Sequence, residues 1–392
     1  MYLGYTEEQE ALRDELVAYY DKLLTHEVRE ALHLEHGAGP VTSQIMKQMG
    51  ADGWYGIGWP EEYGGRGRSQ LEQFVFFNES MRMGAPVPML TINTVAPSIM
   101  AFGSDEMKKE FLPRMLSGDI QFCIGYSEPE AGTDLAALRT KAVKDGDEYV
   151  VNGQKMWTSL ASESHYCWLA VRTDPDAPKH KGISIMVVDM DDPGITVDSL
   201  HLLSTHDIAA VFYDDVRVPA SRLVGEENKG WNYITNQLNH ERITIAAPGL
   251  LQPAYDDVVA WAAATKDSSG QRVIDQEWVQ VNLARVHAGL EFLRLANWKT
   301  AWDATNGNMD VALASTIKVF GTEWFLESFR LLMEIVGPRS YLERNSVDDQ
   351  VAGRLETLYR SLIILTFGGG TNEIQRDLIG MFGMSLPRTL RG

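Results

Sequence analysis

Only two cysteines, Cys123 and Cys167, occur in 392 residues. Two thiols without a CxxC pair cannot form a disulfide framework. Both lie in apolar runs, FCIGY and YCWLA, which is the setting of buried free thiols. The nine histidines show neither HxxxH nor HExxH spacing, so no metal site is indicated. No stretch of about 18 uncharged apolar residues is present, so no membrane span is expected. The start, MYLGYTEEQEALRDEL, lacks a basic segment followed by an apolar run and does not read as a signal peptide. A soluble, cytoplasmic protein is the expectation. Basic blocks interleaved with aromatics are also missing. With 54 acidic against 35 basic side chains, the net charge of −19 repels nucleic acid and anionic lipid. A phosphorylated ligand must therefore find a local basic patch. GxGxxG is absent, so a Rossmann site is not indicated.

What is present is ordinary globular composition, 44% hydrophobic and 23% charged, in a chain long enough for two or three packed domains. The first 120 residues read as helices. Thr6 is a candidate N-cap, followed by an apolar stripe at Leu12, Leu16, Val17 and Tyr20, and further helical stretches run from Leu71 to Met83 and from Asp105 to Leu116. WPEEYGGRG (59–67) between them is a turn-rich loop. From residue 121 short β-branched and aromatic runs alternate with turn signals: EYVV before AsnGly, YCWLAVR, ISIMVV and AAVFYDDVRV, closing at Val218–Pro219. Beyond 227 the strand signals vanish. Asn239–Ala264, Asp275–Thr305, Met309–Val336 and Val347–Leu365 read as four long helices of an antiparallel bundle. The fold class is thus α+β and mostly α, with a helical domain (1–120), a central β domain (121–226) and a helical bundle (227–392).

Four segments could carry chemistry. SEPEAGTD (127–134) offers the hydroxyls and N–H groups of Ser127, Gly132 and Thr133 to a phosphate or ring edge; its bland alternative is an acidic connector. In NGQKMWTS (152–159), AsnGly is a hairpin signal, and Trp157 beside Thr158 and Ser159 could stack on an aromatic ligand or simply fill the core. NHERITIAAPG (239–249) starts the first bundle helix in this reading, and Glu241 is on its own a solvated first-turn glutamate favoured by the helix dipole. FGGGTNEIQR (367–376) has three glycines that let backbone approach a ligand, or that make a flexible turn.

Taken in order, EPEAGTDL, DEYVVNGQKMWTS, VRVPASRLVGEENKGW and GGGTNEIQR resemble the acyl-CoA dehydrogenase family, in register over about 250 residues of a chain that matches along essentially its whole length. GWPEEYGG, the NxER segment and FGGGxNE are similar to the actinobacterial subgroup that acts on steroid side-chain CoA thioesters. The resemblance implies a helical domain, a β domain and a four-helix bundle, binding FAD in extended form. It places Ile124, Tyr126, Ser127, Gly132, Thr133, Trp157 and Ser159 around the flavin, and Thr371 against the dinucleotide. It also implies an acyl-CoA substrate and an electron-transfer flavoprotein as acceptor.

Two departures from the family pattern bear on function. The commonest members carry the catalytic glutamate in the C-terminal loop, where this chain has Gly369; a minority carry it immediately before an arginine early in the bundle, and Glu241–Arg242 matches that arrangement. By resemblance, then, Glu241 is the α-proton base, a backbone N–H at Gly369 polarises the thioester carbonyl, and the β-hydrogen leaves as hydride to the flavin. The family also lends bundle segments to a neighbouring subunit's FAD. Here those segments read LysAspSerSerGly (266–270) and GluIleValGlyPro (334–338), which lack the usual paired Arg and Phe and bring Glu334 near a diphosphate. A related acyl-CoA dehydrogenase-like chain in an α2β2 heterotetramer is the expected partner. An oxidase, or a non-catalytic subunit completing another chain's FAD site, are the competing readings.

Overall fold

A computed structural model of the chain describes residues 4–35, 37–204, 207–241, 244–308, 310–343 and 350–387. The first part is helical: α1 (Glu7–Leu23), α2 (His26–Leu34), α3 (Pro40–Ala51), α4 (Gln70–Met83), a π-helical turn over Leu90–Val95, α5 (Ala96–Phe102) and α6 (Asp105–Leu116). Thr6 caps α1 in a reciprocal box with Gln9, which satisfies donors that the first turn leaves unpaired. Leu12, Leu16 and Tyr20 form its buried stripe. Helix α4 is buried over nearly its whole length, and Tyr20 reaches Ser80 on it at 2.6 Å.

Among the described residues, seven strands follow: β1 (Phe122–Gly125), β2 (Lys141–Asp145), β3 (Glu148–Ser159), β4 (Tyr166–Arg172), β5 (Ile183–Asp189), β6 (Ile195–Ser199) and β7 (Ile208–Pro219). They form one sheet in the order β1-β4-β2-β3-β7-β6, with β5 paired to β4. Alternation along the strands buries both faces. Phe122, Trp168, Ile185 and Val187 pack toward the N-terminal helices, while Cys123, Val151, Cys167, Leu169 and Val211 form a second cluster. The two cysteines are register partners on parallel β1 and β4, buried and free. The Asn152–Gly153 pair is not a hairpin turn. It lies inside β3, at a register shift where the backbone bulges and a Cβ at Gly153 would meet Thr140 Oγ1 at 2.6 Å. The turn before β3 uses Gly146 instead, at φ +63°.

The last part holds α7 (Gly230–Glu241), α8 (Gln252–Ala264), α9 (Glu277–Thr305), α10 (Val311–Val336), α11 (Gln350–Leu362) and α12 (Asn372–Leu378). Helices α8 to α11 share one apolar core built from Val258, Leu283, Leu290, Phe325, Phe329 and Leu355. The expected continuous helix Asn239–Ala264 is instead two. Helix α7 stops at Glu241, and a 3-10 turn over Pro248–Leu250 precedes α8. Proline disfavours a helical residue before it. Gly249 also packs so closely on α4 that a Cβ would sit 2.2 Å from the Asn78 carbonyl, while its N–H donates to Asn78 Oδ1 at 2.9 Å. Helix α7 sends Tyr233 and Ile234 into the core shared by the N-terminal helices and the sheet.

Candidate active site

Asn239, His240 and Glu241 therefore form the C-terminal end of α7, not a first turn. The Glu241 side chain and residue Arg242 lie outside the described residues. Asn236 and Thr244, on either side of Glu241 in sequence, line a cavity of about 500 Å³. Its other walls come from α4, the π-turn, α5 and the end of α9, including Phe74, Ile92 and Ala301. Asn93 on the π-turn donates to Thr244 Oγ1 at 3.0 Å, which ties the wall to the segment after α7. Single π-turns are common at functional sites, and this one aims an amide at the cavity rim.

A second set of residues gathers at the end of β1. Ile124 is half-buried on the strand, and Tyr126 and Ser127 follow it. The Ser127 carbonyl accepts from Met156 N at 2.8 Å, bringing the loop beside the bulged end of β3. There Trp157 adopts φ +63°, unusual for a bulky side chain, and is 56% exposed. The buried-core alternative for this tryptophan is thereby excluded. Ser159 is half-buried and pairs in register with Ile208. Gly132 and Thr133 are exposed farther along the loop, with open space where a Gly132 Cβ would be. Thr158 Oγ1, between Trp157 and Ser159, is buried without a partner among the described residues.

A buried ion pair holds this loop. Lys155, 0% exposed, donates to Glu128 Oε1 at 2.8 Å and to the Tyr126 carbonyl at 3.0 Å. Glu128 also accepts the N–H groups of Arg139 at 2.6 Å and Thr140 at 2.8 Å. Burial pushes the Glu128 carboxyl up, but the Lys155 charge and these hydrogen bonds outweigh it and hold it below the usual carboxylate range. Burial lowers the Lys155 ammonium, and Glu128 opposes that shift. The pair was legible in principle: inward positions of β3 run Tyr149, Val151, Lys155, and a lysine in that series needs a buried partner.

The two sets are joined through Tyr126. Trp168 Nε1 donates to the Tyr126 hydroxyl at 3.0 Å, and that hydroxyl donates to Gln237 Oε1 on α7. Gln237 is fully buried, stands one helical turn before Glu241, and its Nε2 has no partner among the described residues. No local pattern in the sequence signals this link, because Tyr126 and Gln237 are separated by 111 residues.

Gly369 and Thr371 belong to the bundle. Gly369 and Gly370 take φ +66° and +94°, the left-handed region open to glycine. The Gly369 carbonyl accepts from Gln375 Nε2 at 3.2 Å, and Thr371 caps α12 by accepting from Ile374 N at 3.3 Å. Buried Lys318 of α10 fixes both ends of the loop, donating to the Thr366 carbonyl at 3.1 Å and Asn372 Oδ1 at 2.7 Å. The 266–270 segment is a tight turn closed by Asp267, whose carboxylate accepts from Ser269 N at 2.8 Å and Gln271 N at 3.1 Å. Glu334 is exposed and accepts from Asn282 at 3.3 Å.

Three family models match the chain: the acyl-CoA dehydrogenase N-terminal domain over residues 6–119, the middle domain over 123–216 and the C-terminal domain over 228–384. Acyl-CoA dehydrogenase FadE26 of Mycobacterium tuberculosis is 53% identical over 401 residues, covering 100% of both chains. Among solved structures, the ChsE4-ChsE5 complex from Mycobacterium tuberculosis is 53% identical with a TM-score of 0.93, covering 99% of this chain and 100% of that one. The Tcur3481-Tcur3483 steroid acyl-CoA dehydrogenase is 45% identical with a TM-score of 0.94, with the same coverage.

Proposed function

The chain belongs to the acyl-CoA dehydrogenase family, an oxidoreductase family, and from that premise we propose that it uses FAD to dehydrogenate a bulky acyl-CoA, with Glu241 as the α-proton base. The observation that carries this reading is the cavity of about 500 Å³ bordered on both sides of Glu241 by Asn236 and Thr244. That volume is within the roughly 300–1,000 Å³ of small-molecule sites. Steroid-derived acyl groups fit a wide cavity with apolar walls, and the Tcur3481-Tcur3483 relative is a steroid enzyme by name.

The β-domain residues fit a flavin. Exposed Trp157 at a bulge, the hydroxyls of Ser127, Thr133 and Ser159, the backbone at Ile124 and Tyr126, and open space at Gly132 supply an aromatic face beside a polar edge. Thr371 is assigned to the dinucleotide from the bundle. When bound, FAD supplies the acceptor for the β-hydrogen and its electron pair, a role no side chain can fill. The protein's part is the other half of the reaction. An α-proton beside a thioester is too weakly acidic for a free carboxylate, so a backbone N–H at Gly369 polarises the carbonyl as charge develops. Glu241, at the end of a helix anchored through Gln237 and Tyr126, takes the proton beside that cavity.

We further infer that the chain works in an α2β2 assembly with a related chain and passes electrons to an electron-transfer flavoprotein. The turn closed by Asp267, with Lys266 and Ser269 in place of the family's Arg and Phe, puts carboxylate where a diphosphate needs a cation. Exposed Glu334 and Pro338, which has no N–H, add to that mismatch. At a few ångströms, like charges repel by about 4 kcal/mol at an effective dielectric near 20. A partner with an intact basic segment supplies what this chain lacks.

The test is purification alone and after co-expression with neighbouring paralogues, followed by addition of acyl-CoA panels and watching the flavin band. Flavin retention and bleaching only in the co-expressed assembly are expected. A lone homotetramer with full flavin and full activity refutes the heteromer. Rapid turnover with oxygen alone makes the chain an oxidase.

A further inference from the structure

Resting on the reading that the Gly369 backbone N–H polarises the thioester carbonyl, we propose that Lys318 is a positioning residue for the reaction. Its buried side chain holds the glycine loop in the one geometry in which that N–H meets the carbonyl oxygen.

Three glycines in a row, Gly368 to Gly370, make a loop that is easy to bend and costly to hold, because glycine loses more conformational freedom on ordering than any other residue. Both Gly369 and Gly370 are half-buried, and among the described residues neither N–H has an acceptor. An N–H left over in this way can serve a ligand oxygen. It does so in catalysis only if it is held where the negative charge will develop. A misplacement of about 1 Å can cost a hundredfold in rate.

Lys318 supplies the fixed point. It stands fully buried on α10, and its Nζ donates to the Thr366 carbonyl at 3.1 Å before the glycines and to Asn372 Oδ1 at 2.7 Å after them. Asn372 is buried too, and its other end settles how its amide is turned: Nδ2 donates to Glu323 Oε1 at 3.1 Å. A carboxylate only accepts, so the atom left facing Lys318 is the oxygen. One side chain of the bundle core thus ties both ends of the loop to α10. Bonds within the loop shape the turn itself: Gly368 N donates to the Ile364 carbonyl at 2.8 Å, and Gln375 Nε2 to the Gly369 carbonyl at 3.2 Å. Lys318 touches no substrate in this arrangement; it acts through the loop.

The test uses the co-expressed, flavin-loaded assembly as wild type, Lys318→Met and Lys318→Gln. Methionine keeps the stem and removes the donor; glutamine keeps an NH2 on a shorter stem. The probe is an arylacryloyl-CoA, a conjugated thioester that cannot be dehydrogenated and whose absorption band moves to longer wavelength when its carbonyl oxygen is hydrogen-bonded. The wild type should shift the band. Lys318→Met should bind the probe within about threefold of the wild type yet lose at least about half of the shift. Its kcat for a saturated acyl-CoA should fall at least about tenfold with KM changed less than about threefold, since one donor aimed at the developing charge is worth about a hundredfold or more. Lys318→Gln should lie between the two in both readouts. A Lys318→Met assembly that only melts earlier, with band shift and kcat kept, overturns the proposal. If that variant does not assemble, Lys318→Gln decides alone, and wild-type shift and kcat in it overturn the proposal. A probe that binds the wild type with no band shift refutes the Gly369 reading itself, and the role of Lys318 falls with it.

Discussion

Replacing Lys155 by methionine keeps the stem and deletes the charge. It leaves Glu128, 8% exposed, without its cation, and removes the bond from Lys155 to the Tyr126 carbonyl. Removing one partner of a buried pair costs about 3–5 kcal/mol, mostly from the stranded charge. The N–H groups of Arg139 and Thr140 still hold the carboxylate, which points to the lower end of that range. At roughly 1.2 °C per kcal/mol for a chain of 392 residues, the melting temperature should fall by about 4 °C. The second half of the perturbation is Glu128→Gln in the same chain. With both charges gone the buried cost disappears, and the double variant should recover to within about 1–2 kcal/mol of the wild type, because such pairs are often close to neutral overall. The assay is thermal unfolding of the flavin-loaded assembly, followed by intrinsic and flavin fluorescence. Flavin should be released earlier in Lys155→Met, because the loop carrying Tyr126 and Ser127 loses its brace. A shift below about 2 °C in the single variant, or a double variant less stable than the single one, would refute the reasoning.

Trp157→Ala should lower flavin occupancy and shift the flavin spectrum, since the exposed ring at the β3 bulge is assigned to the cofactor; an unchanged spectrum at full occupancy moves the flavin elsewhere. Tyr126→Phe strands Trp168 Nε1 and Gln237 Oε1, and a double-mutant cycle with Gln237→Met should show about 0.5–3 kcal/mol of coupling in kcat; strictly additive losses would show that α7 is not held through this link. The Glu128 carboxyl titrates below the ordinary glutamate value of 4.5, so its contribution to stability is complete above that pH and drains away as pH falls through the lower folded-state value. Acid unfolding of Glu128→Gln should accordingly be less steep below pH 4.5 than that of the wild type, and identical profiles would contradict the assignment.

Local chemistry made much of this molecule readable in advance. Thr6 and Gln9 spell a capping box, Leu12, Leu16 and Tyr20 a buried helical stripe, and the aromatic and β-branched runs the strands β3, β4, β5 and β7. What escaped depends on contacts between distant segments. ITIAAPGLL carries enough apolar residues to pass for helix, and Pro248 together with the docking of Gly249 on Asn78 separates α7 from α8. AsnGly at 152–153 has hairpin chemistry, yet its neighbours on β7 accommodate it as a bulge. The same holds at the site. Trp157 could be read as core or ligand face until its exposure was known. The Tyr126–Gln237 link arises from a tertiary arrangement that no short motif encodes.

The most direct test of the account is the rate of flavin bleaching by acyl-CoA in the co-expressed assembly carrying Glu241→Gln. The substitution preserves size and shape and removes the charge together with the ability to take a proton. With flavin content and melting temperature unchanged, the rate should fall by at least about a hundredfold, the usual worth of a positioned base. A rate within a few-fold of the wild type would contradict the assignment of Glu241 and place the base elsewhere along the cavity.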